Sequence, residues 1–397
     1  MRKIIGLACI FLASSMVHSL QAAPDSLSAE AEVSVITAAA GGELYTVFGH
    51  TTIRIRDPIQ DLDKVYNYGT FNFGEPGFYW HFARGYLHYY LDTTRFEWFQ
   101  RFYLMVHRSL YEQVLRLTSE QRQSLYEFLE TNALEENRYY RYDSFLNNCS
   151  TKVRDALRET LAGYADFSDS AFTAPRSFRQ YIAPYLRRRP WGGFGMNLLL
   201  GAPTDRPATA FQSMFLPNQL KDGVAAATVD IEGKSLPLVE NIRVYPAPPD
   251  ESAGTQPFWT PALIFWLVAL LLAGLTALEW RARTPFFPVD GVLLVIPGLL
   301  GCLLLFLWVG SVRPWTDANF NLMWALPTHL IAGILLFTKR KPRFLGPYFV
   351  ITTGLTLLLL VSWSLIPQTL PGELLPLVVL FTIRMARLAV SLGKPSV

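Results

Sequence analysis

Five apolar segments, at roughly 258–278, 289–310, 319–337, 346–366 and 372–389, fill the last third of this 397-residue chain. Each is long enough, or nearly so, to cross about 30 Å of hydrocarbon. Lipid offers backbone amides no hydrogen bonds, so such segments are expected as helices, five in all. The charges between them set the orientation. Arg281 and Arg283 follow the first segment; Lys339, Arg340, Lys341 and Arg343 follow the third; Arg384, Arg387 and Lys394 close the fifth. The second connection has only Arg313 with Asp317, and the fourth has Glu373 without Lys or Arg. Basic loops stay on the cytoplasmic side, which places everything before the first segment outside. Residues 1–23 agree, with Arg2 and Lys3, an apolar stretch over 4–17 and small residues at Ala22 and Ala23, the parts of a cleaved secretory signal. The run ending at Cys9 has too little apolar sequence before it to serve for lipidation. The expected plan is a signal peptide over 1–23, an exported domain over 24–240, a proline-rich and stiff tether over 241–257, and a membrane domain over 258–397.

Most of the net charge of +3 lies in the membrane loops, so nothing points to nucleic acid. There is no phosphate-binding glycine loop and no cysteine cluster for zinc, so neither a cofactor nor a metal is expected. The exported domain reads as α+β. Strands are expected over 31–36, 45–56 and 65–73, the last two forming a hairpin. Thr118 with Gln121 forms a capping-box pattern ahead of an apolar face at Leu125, Phe128, Leu129 and Ala133. A further helix, capped by Asn147 or Asn148, carries Cys149, Val153, Ala156, Leu157 and Thr160 on its inner face.

Cys149 is the only cysteine of the exported domain, since Cys9 falls in the signal and Cys302 in a membrane segment. An unpaired thiol in an oxidising compartment suggests chemistry; the alternative is an inert core residue. In the first turn of a helix it would feel the positive dipole end and free N–H groups able to stabilise a thiolate and an oxyanion. The exported histidines are His50, His81, His88 and His107, and His50, directly after Gly49 at a strand start, is the best placed as base. If the hairpin pairs across 57–64, His50 lies opposite 69–72. Asn67, Thr70 and Asn72 are then candidates to orient it, with Glu43 from the preceding strand as another; Asn67 is preferred. Asn148 is a cap or an oxyanion donor, and Ser150 is an alternative nucleophile. Aromatics crowd residues 78–107, interleaved with Arg84, Arg95 and Arg101. Trp80, Arg84, Tyr86 and Trp98 are candidates for lipid and headgroup contact; the alternative is an aromatic core with a solvated charged face. The run 187–189 with Trp191 is a second possible headgroup contact. His329, inside the third segment, is read as a packing or kink residue, with a proton relay as the alternative.

The runs Glu-Leu-Tyr-Thr-Val-Phe-Gly-His-Thr-Thr-Ile-Arg-Ile-Arg-Asp-Pro (43–58), Val-Tyr-Asn-Tyr-Gly-Thr-Phe-Asn-Phe (65–73), Phe-Ala-Arg-Gly (82–85) and Asn-Asn-Cys-Ser-Thr-Lys-Val-Arg-Asp (147–155) resemble the Lnb family of Bacteroidota lipoprotein N-acyltransferases. The plan of signal, exported domain and membrane helices is similar as well. Where this chain has Thr-Ala-Ala-Ala-Gly-Gly ahead of Glu43, the resemblance leads one to expect a more cysteine- or proline-containing stretch, a departure that touches the loop and not the dyad. The resemblance implies a circularly permuted papain-like (NlpC-type) thiol-enzyme domain, with histidine before cysteine, followed by five transmembrane helices. It implies Cys149 as nucleophile and His50 as general base. It further implies a phospholipid acyl donor, a diacylated lipoprotein acceptor, and a bacterial inner membrane with the catalytic domain in the periplasm. A membrane-anchored thiol hydrolase, a peptidase, amidase or phospholipase using the same dyad, is the alternative; a non-enzymatic membrane scaffold is a third reading.

Overall fold

The structure is a computed structural model that describes residues 26–393 apart from 73, 87, 168–175, 250–256 and 283–285. The signal segment over 1–23 lies outside the described residues. Strands β1 (Glu32–Ala38), β2 (His50–Asp57), β3 (Leu62–Thr70), β4 (His88–Arg95), β5 (Leu110–Leu115) and β6 (Tyr139–Arg141) join a last strand, Val239–Tyr245, in one seven-stranded sheet. Its order runs from Val239–Tyr245 through β5, β1, β2, β3 and β4 to β6, with every neighbouring pair antiparallel. Helices α1 (Phe78–Arg84), α2 (Phe96–Met105), α3 (Ser119–Ala133) and α4 (Cys149–Thr160) flank it.

The period-2 alternation of the strands separates two cores. Val33, Val35, Ile53, Ile55, Tyr66 and Tyr68 meet Leu125 and Leu129 of α3 and Val153 and Leu157 of α4. Ile36, Ala38 and Val65 meet Phe96, Phe99 and Tyr103 of α2 on the other side. That second face also buries Arg54, which donates to both oxygens of Asp63 at 2.7 and 2.8 Å and to Glu112 at 2.9 Å. The Tyr245 hydroxyl donates to the same Glu112 at 2.7 Å, so one guanidinium network pins β2, β3, β5 and the last strand together. The Thr118–Gln121 capping box opens α3 as the spacing suggests.

Three expectations about the exported domain need correction. The strand expected over 45–56 begins only at His50, because Thr46 Oγ1 bonds to both the N–H and the C=O of Glu43 and closes a turn there. The strand expected over 65–73 runs Leu62–Thr70, because the hairpin turns tightly, Asp57 pairing with Leu62. The boundary expected at 240 falls inside the last strand, whose Arg243 makes a forked pair with Glu32 at 2.8 and 2.9 Å.

Among the described residues of the membrane region, four segments are long and apolar enough to cross a bilayer: Pro261–Ala282, Phe287–Gly310, Pro314–Leu336 and Gly372–Leu392. The fourth segment of the sequence reading is a shorter apolar helix, Leu345–Val361. The third segment is not one helix. It passes through 3-10 turns at Pro314–Thr316 and Phe320–Met323 before Thr328–Leu336, and its irregular part is buried in protein. Irregular backbone at that depth is tolerated only where protein satisfies it. Here Asn319 Nδ2 donates to Leu198 O at 2.9 Å, and Gly201 N donates to Trp315 O at 2.8 Å.

Arg384, counted above among the basic residues closing the fifth segment, is 2% exposed. It donates to Asp290 at 2.6 Å, to Thr276 at 2.7 Å and to Glu279 at 3.2 Å, and Arg387 also pairs with Glu279. Buried charges at the ends of three spans thus satisfy one another. Removing one partner of a buried pair costs about 3–5 kcal/mol. Arg384→Leu, which leaves the Asp290 carboxylate uncompensated, should therefore lower the melting temperature of the detergent-solubilised full-length chain far more than Thr276→Val.

Candidate active site

Cys149 is the first residue of α4 because Asn148 stops the preceding extended segment and caps the helix. Asn148 Oδ1 accepts from Thr151 N at 3.0 Å, and Thr151 Oγ1 accepts from Asn148 N at 2.7 Å. The Asn148 amide donates to the carbonyls of Ser144 at 2.8 Å and Phe215 at 2.9 Å. With its side chain committed, Asn148 is the cap and not an oxyanion donor. The N–H groups of Cys149 and Ser150 have no acceptor among the described residues, and they lie at the positive end of the helix dipole. Ser150 is fully buried with its hydroxyl 3.2 Å from Thr51 Oγ1; it fastens α4 to β2 and is not placed as a nucleophile.

His50 opens β2 beside the thiol. Its Nε2 lies 2.6 Å from Asn67 Oδ1, an acceptor, so the ring carries its proton on Nε2 and leaves Nδ1 for the thiol. Of the four groups weighed for orienting His50, Asn67 is the one that does so. Glu43 is exposed in the turn before the strand, and Asn72 is exposed with its Oδ1 on Gly74 N at 2.9 Å. Thr70 Oγ1 is buried and bonds to nothing among the described residues. His81 lies 3.8 Å from Glu75, His107 Nδ1 is 3.2 Å from Pro248 O, and His88 is exposed, so none of them serves Cys149.

The thiol and imidazole meet across a glycine. Gly69 stands where the β3–β4 register slips, with φ of 98°. A Cβ there would sit 3.4 Å from Cys149 Cβ and 3.8 Å from His50 Cε1. Such a bulge with positive φ admits glycine at little cost and lets strand and helix terminus approach. Gly49, also at positive φ, makes room for the Ala38 carbonyl and Pro217 and not for the cysteine-bearing helix.

Two effects oppose each other at Cys149. Burial pushes its thiol up, but the charge of His50 and its hydrogen bond, with help from Thr51 N–H and Ser150, outweigh burial and bring it down to about 7. For His50, burial favours the neutral ring, yet the thiolate and the bonds to Cys149 and Asn67 leave it raised overall. The pair thus holds a thiolate and an imidazolium together near neutral pH.

Several wall residues carry no sequence signal of their role. Tyr103 packs parallel to His50 with ring centres 6.3 Å apart, and the buried Arg108 guanidinium lies 4.8 Å over Tyr103. Tyr89 and Tyr142 stack at 4.0 Å, within electrostatic reach of Cys149, and the Tyr140 hydroxyl is 3.8 Å from the position of the missing Gly69 Cβ. The aromatic run over 78–107 divides in two: Phe78, Tyr89, Phe96, Phe99 and Tyr103 are core, while Tyr79, Trp80, Phe82, Tyr86, Trp98 and Phe102 are exposed. Trp80 stacks on Phe306 of the second span at 5.4 Å and Arg84 covers Trp80 and Tyr86, whereas Trp98 is exposed on α2. Trp191 donates to Trp259 O at 2.7 Å, joining the domain to the head of the first span. His329 is buried among the spans with Tyr348 Oη 2.6 Å from its Nδ1, in keeping with a packing role.

At pH 7 a thiol titrating near 7 is about half thiolate, against about one part in a hundred for a thiol at the ordinary 9.0. The alkylation rate of Cys149 should accordingly rise through pH 7. In His50→Ala, where only the Thr51 N–H and Ser150 still oppose burial, the midpoint should move up toward the ordinary 9.0 and the rate at pH 7 fall by about fiftyfold. An unchanged profile would show that His50 does not set the thiol. Gly69→Ala should destabilise the domain by about 1–3 kcal/mol through its positive φ and slow alkylation in the fraction that folds.

The model of the Lnb N-terminal periplasmic domain matches residues 21–181, and the model of the Lnb transmembrane domain matches residues 253–394. No curated protein and no solved structure matches the chain. Two domain models, in chain order and covering most of its length, agree with a sheet domain seated on apolar spans: the chain belongs to the Lnb family and is a membrane protein with a periplasmic domain.

Proposed function

We propose that the chain is a lipoprotein N-acyltransferase of the bacterial inner membrane. It moves an acyl chain from a phospholipid through a Cys149 thioester to the α-amino group of a diacylglyceryl-cysteine lipoprotein. The observation that carries this reading is the Cys149–His50–Asn67 array in a domain packed directly on membrane spans. The order of histidine before cysteine is that of a circularly permuted papain-like enzyme. Nδ1 of His50 takes the thiol proton, and the thiolate attacks an ester carbonyl of the phospholipid. The tetrahedral oxyanion is met by the N–H groups of Cys149 and Ser150. Collapse breaks the ester C–O bond; imidazolium returns the proton to the departing lysophospholipid alkoxide, leaving an acyl thioester. The amine of the acceptor then attacks that carbonyl and gives its proton to His50, and the thiolate leaves, so the product carries three acyl chains. Both substrates live in the bilayer, which suits the exposed aromatic and arginine surface at the junction.

Incubating the purified protein with phospholipid and a diacylated lipopeptide should yield an acylated peptide and, by mass spectrometry, an acyl adduct on Cys149. Cys149→Ala should abolish both; normal transfer in that variant would end the proposal. Release of free fatty acid with no peptide acylation would instead mark a thiol hydrolase.

A further inference from the structure

The junction between the periplasmic domain and the spans holds three guanidinium groups that pair with no carboxylate among the described residues. Arg313 leaves the second span and crosses Gly85, where an added Cβ would lie 2.7 Å from its Cγ. Its Nε and Nη2 are buried and bond to nothing among the described residues. Arg141 donates to the carbonyls of Gly85 at 3.2 Å and Val312 at 3.4 Å. Arg84 lies 5.1 Å over Tyr86, Arg141 lies 5.4 Å over the same ring, and Arg313 lies 4.5 Å over Phe82. Ring faces attract these cations without neutralising them. None of the three takes part in an ion pair among the described residues. Asp143, whose charge Arg313 feels, makes no hydrogen bond to it; its carboxylate accepts from Trp315 Nε1 and from the N–H groups of Phe145 and Leu146.

Withdrawing a guanidinium from water without an acceptor costs several kcal/mol, so a fold that keeps one in this state is incomplete without an anion. The anion's chemistry follows from the place. The cluster sits where a chain leaves the hydrocarbon, beside exposed Trp80, Phe82, Tyr86 and Val312. Its position relative to the thiol follows from Tyr89 and Tyr142, each of which lies within electrostatic reach of both Arg313 and Cys149. The geometry points to a phosphodiester site built from Arg313, Arg141 and Arg84, which holds the headgroup phosphate of a membrane phospholipid while its ester reaches Cys149 across the Tyr89–Tyr142 stack. Arginine forks fit phosphate oxygens in pairs, and Arg313 presents Nε and Nη2 together. The membrane domain thereby supplies a substrate-binding residue to the periplasmic site. This inference rests on the phospholipid-donor reading above.

The test uses full-length Cys149→Ala protein in neutral detergent, so binding is read without turnover. Native mass spectrometry follows retention of dioleoyl phosphatidylglycerol and, in parallel, of dioleoylglycerol, which lacks the phosphate. The parent should retain the phospholipid in strong preference. Arg313→Gln should weaken phospholipid retention by about tenfold or more, as loss of a charge-assisted hydrogen bond implies, and leave dioleoylglycerol unchanged. Arg141→Gln, at an exposed position, provides the same reading should Arg313→Gln lower the melting temperature. Equal retention of the two lipids, or phospholipid binding unaffected in both variants, overturns the site. Displacement by millimolar inorganic phosphate as effective as by phospholipid overturns the lipid as its ligand. A phosphodiester preference without acyl transfer by the wild type would sink the acyltransferase reading alone, and transfer without that preference would sink this site alone.

Discussion

The indole N–H of Trp315 donates to both oxygens of Asp143, at 2.9 and 2.8 Å, and much of the molecule depends on that contact. Asp143 also accepts from the N–H groups of Phe145 and Leu146, and its backbone exchanges two hydrogen bonds with Asn147. This closes the short loop that delivers Asn148 as cap and Cys149 as first helical residue. The Trp315 ring is itself buried against Phe145, Phe178 and Phe215. A residue from the membrane segments thus rigidifies the turn from which the thiol projects. A strap of this kind explains why the third segment enters as 3-10 turns: a continuous helix would carry Trp315 away from the loop. The membrane domain is therefore a structural part of the site as well as its anchor.

The dyad is a balance of two costs. Burial alone would leave a neutral thiol and a neutral ring, the inert arrangement of a core cysteine. The pair becomes ionic because each charge is the other's nearest compensation, and because Asn67 fixes the ring so that Nδ1 faces the sulfur. The helix N-terminus adds a favourable field without adding a titrating group. Cys149 therefore gains its low value from one strong partner, His50, and two weak neutral donors, the Thr51 N–H and the Ser150 hydroxyl.

What was legible in the chain was local. The cap at Asn148, the first-turn position of Cys149, the capping box at Thr118 and the choice of His50 with Asn67 all follow from short-range spacing or from a hairpin register that one turn determines. Glu43 and Asn72 failed because an extra turn at 42–48 and an earlier end to β3 took them off the sheet, and neither event has a strong signal in alternation alone. The Gly69 bulge, the tyrosine wall and the junction arginines depend on elements far apart in the chain. Arg313 looked like a lone loop charge, and Arg384 like a topogenic one, until packing showed what surrounds each.

The last strand closes one edge of the sheet with the residues that next lead toward the first span. It lies against β5 over Leu110–Leu115, while the opposite edge, β6, is only three residues long. The last strand thus covers β5 and becomes the sheet edge itself, with Ile242 and Val244 exposed on it. The order of synthesis gives the arrangement a second meaning. Until residue 245 has left the translocation machinery, β5 has a bare flank and Glu112 lacks the Tyr245 hydroxyl. The sheet that supports the thiol is thus completed only by the stretch of chain that precedes the first span, so the order of emergence ties maturation of the periplasmic domain to arrival of its membrane partner.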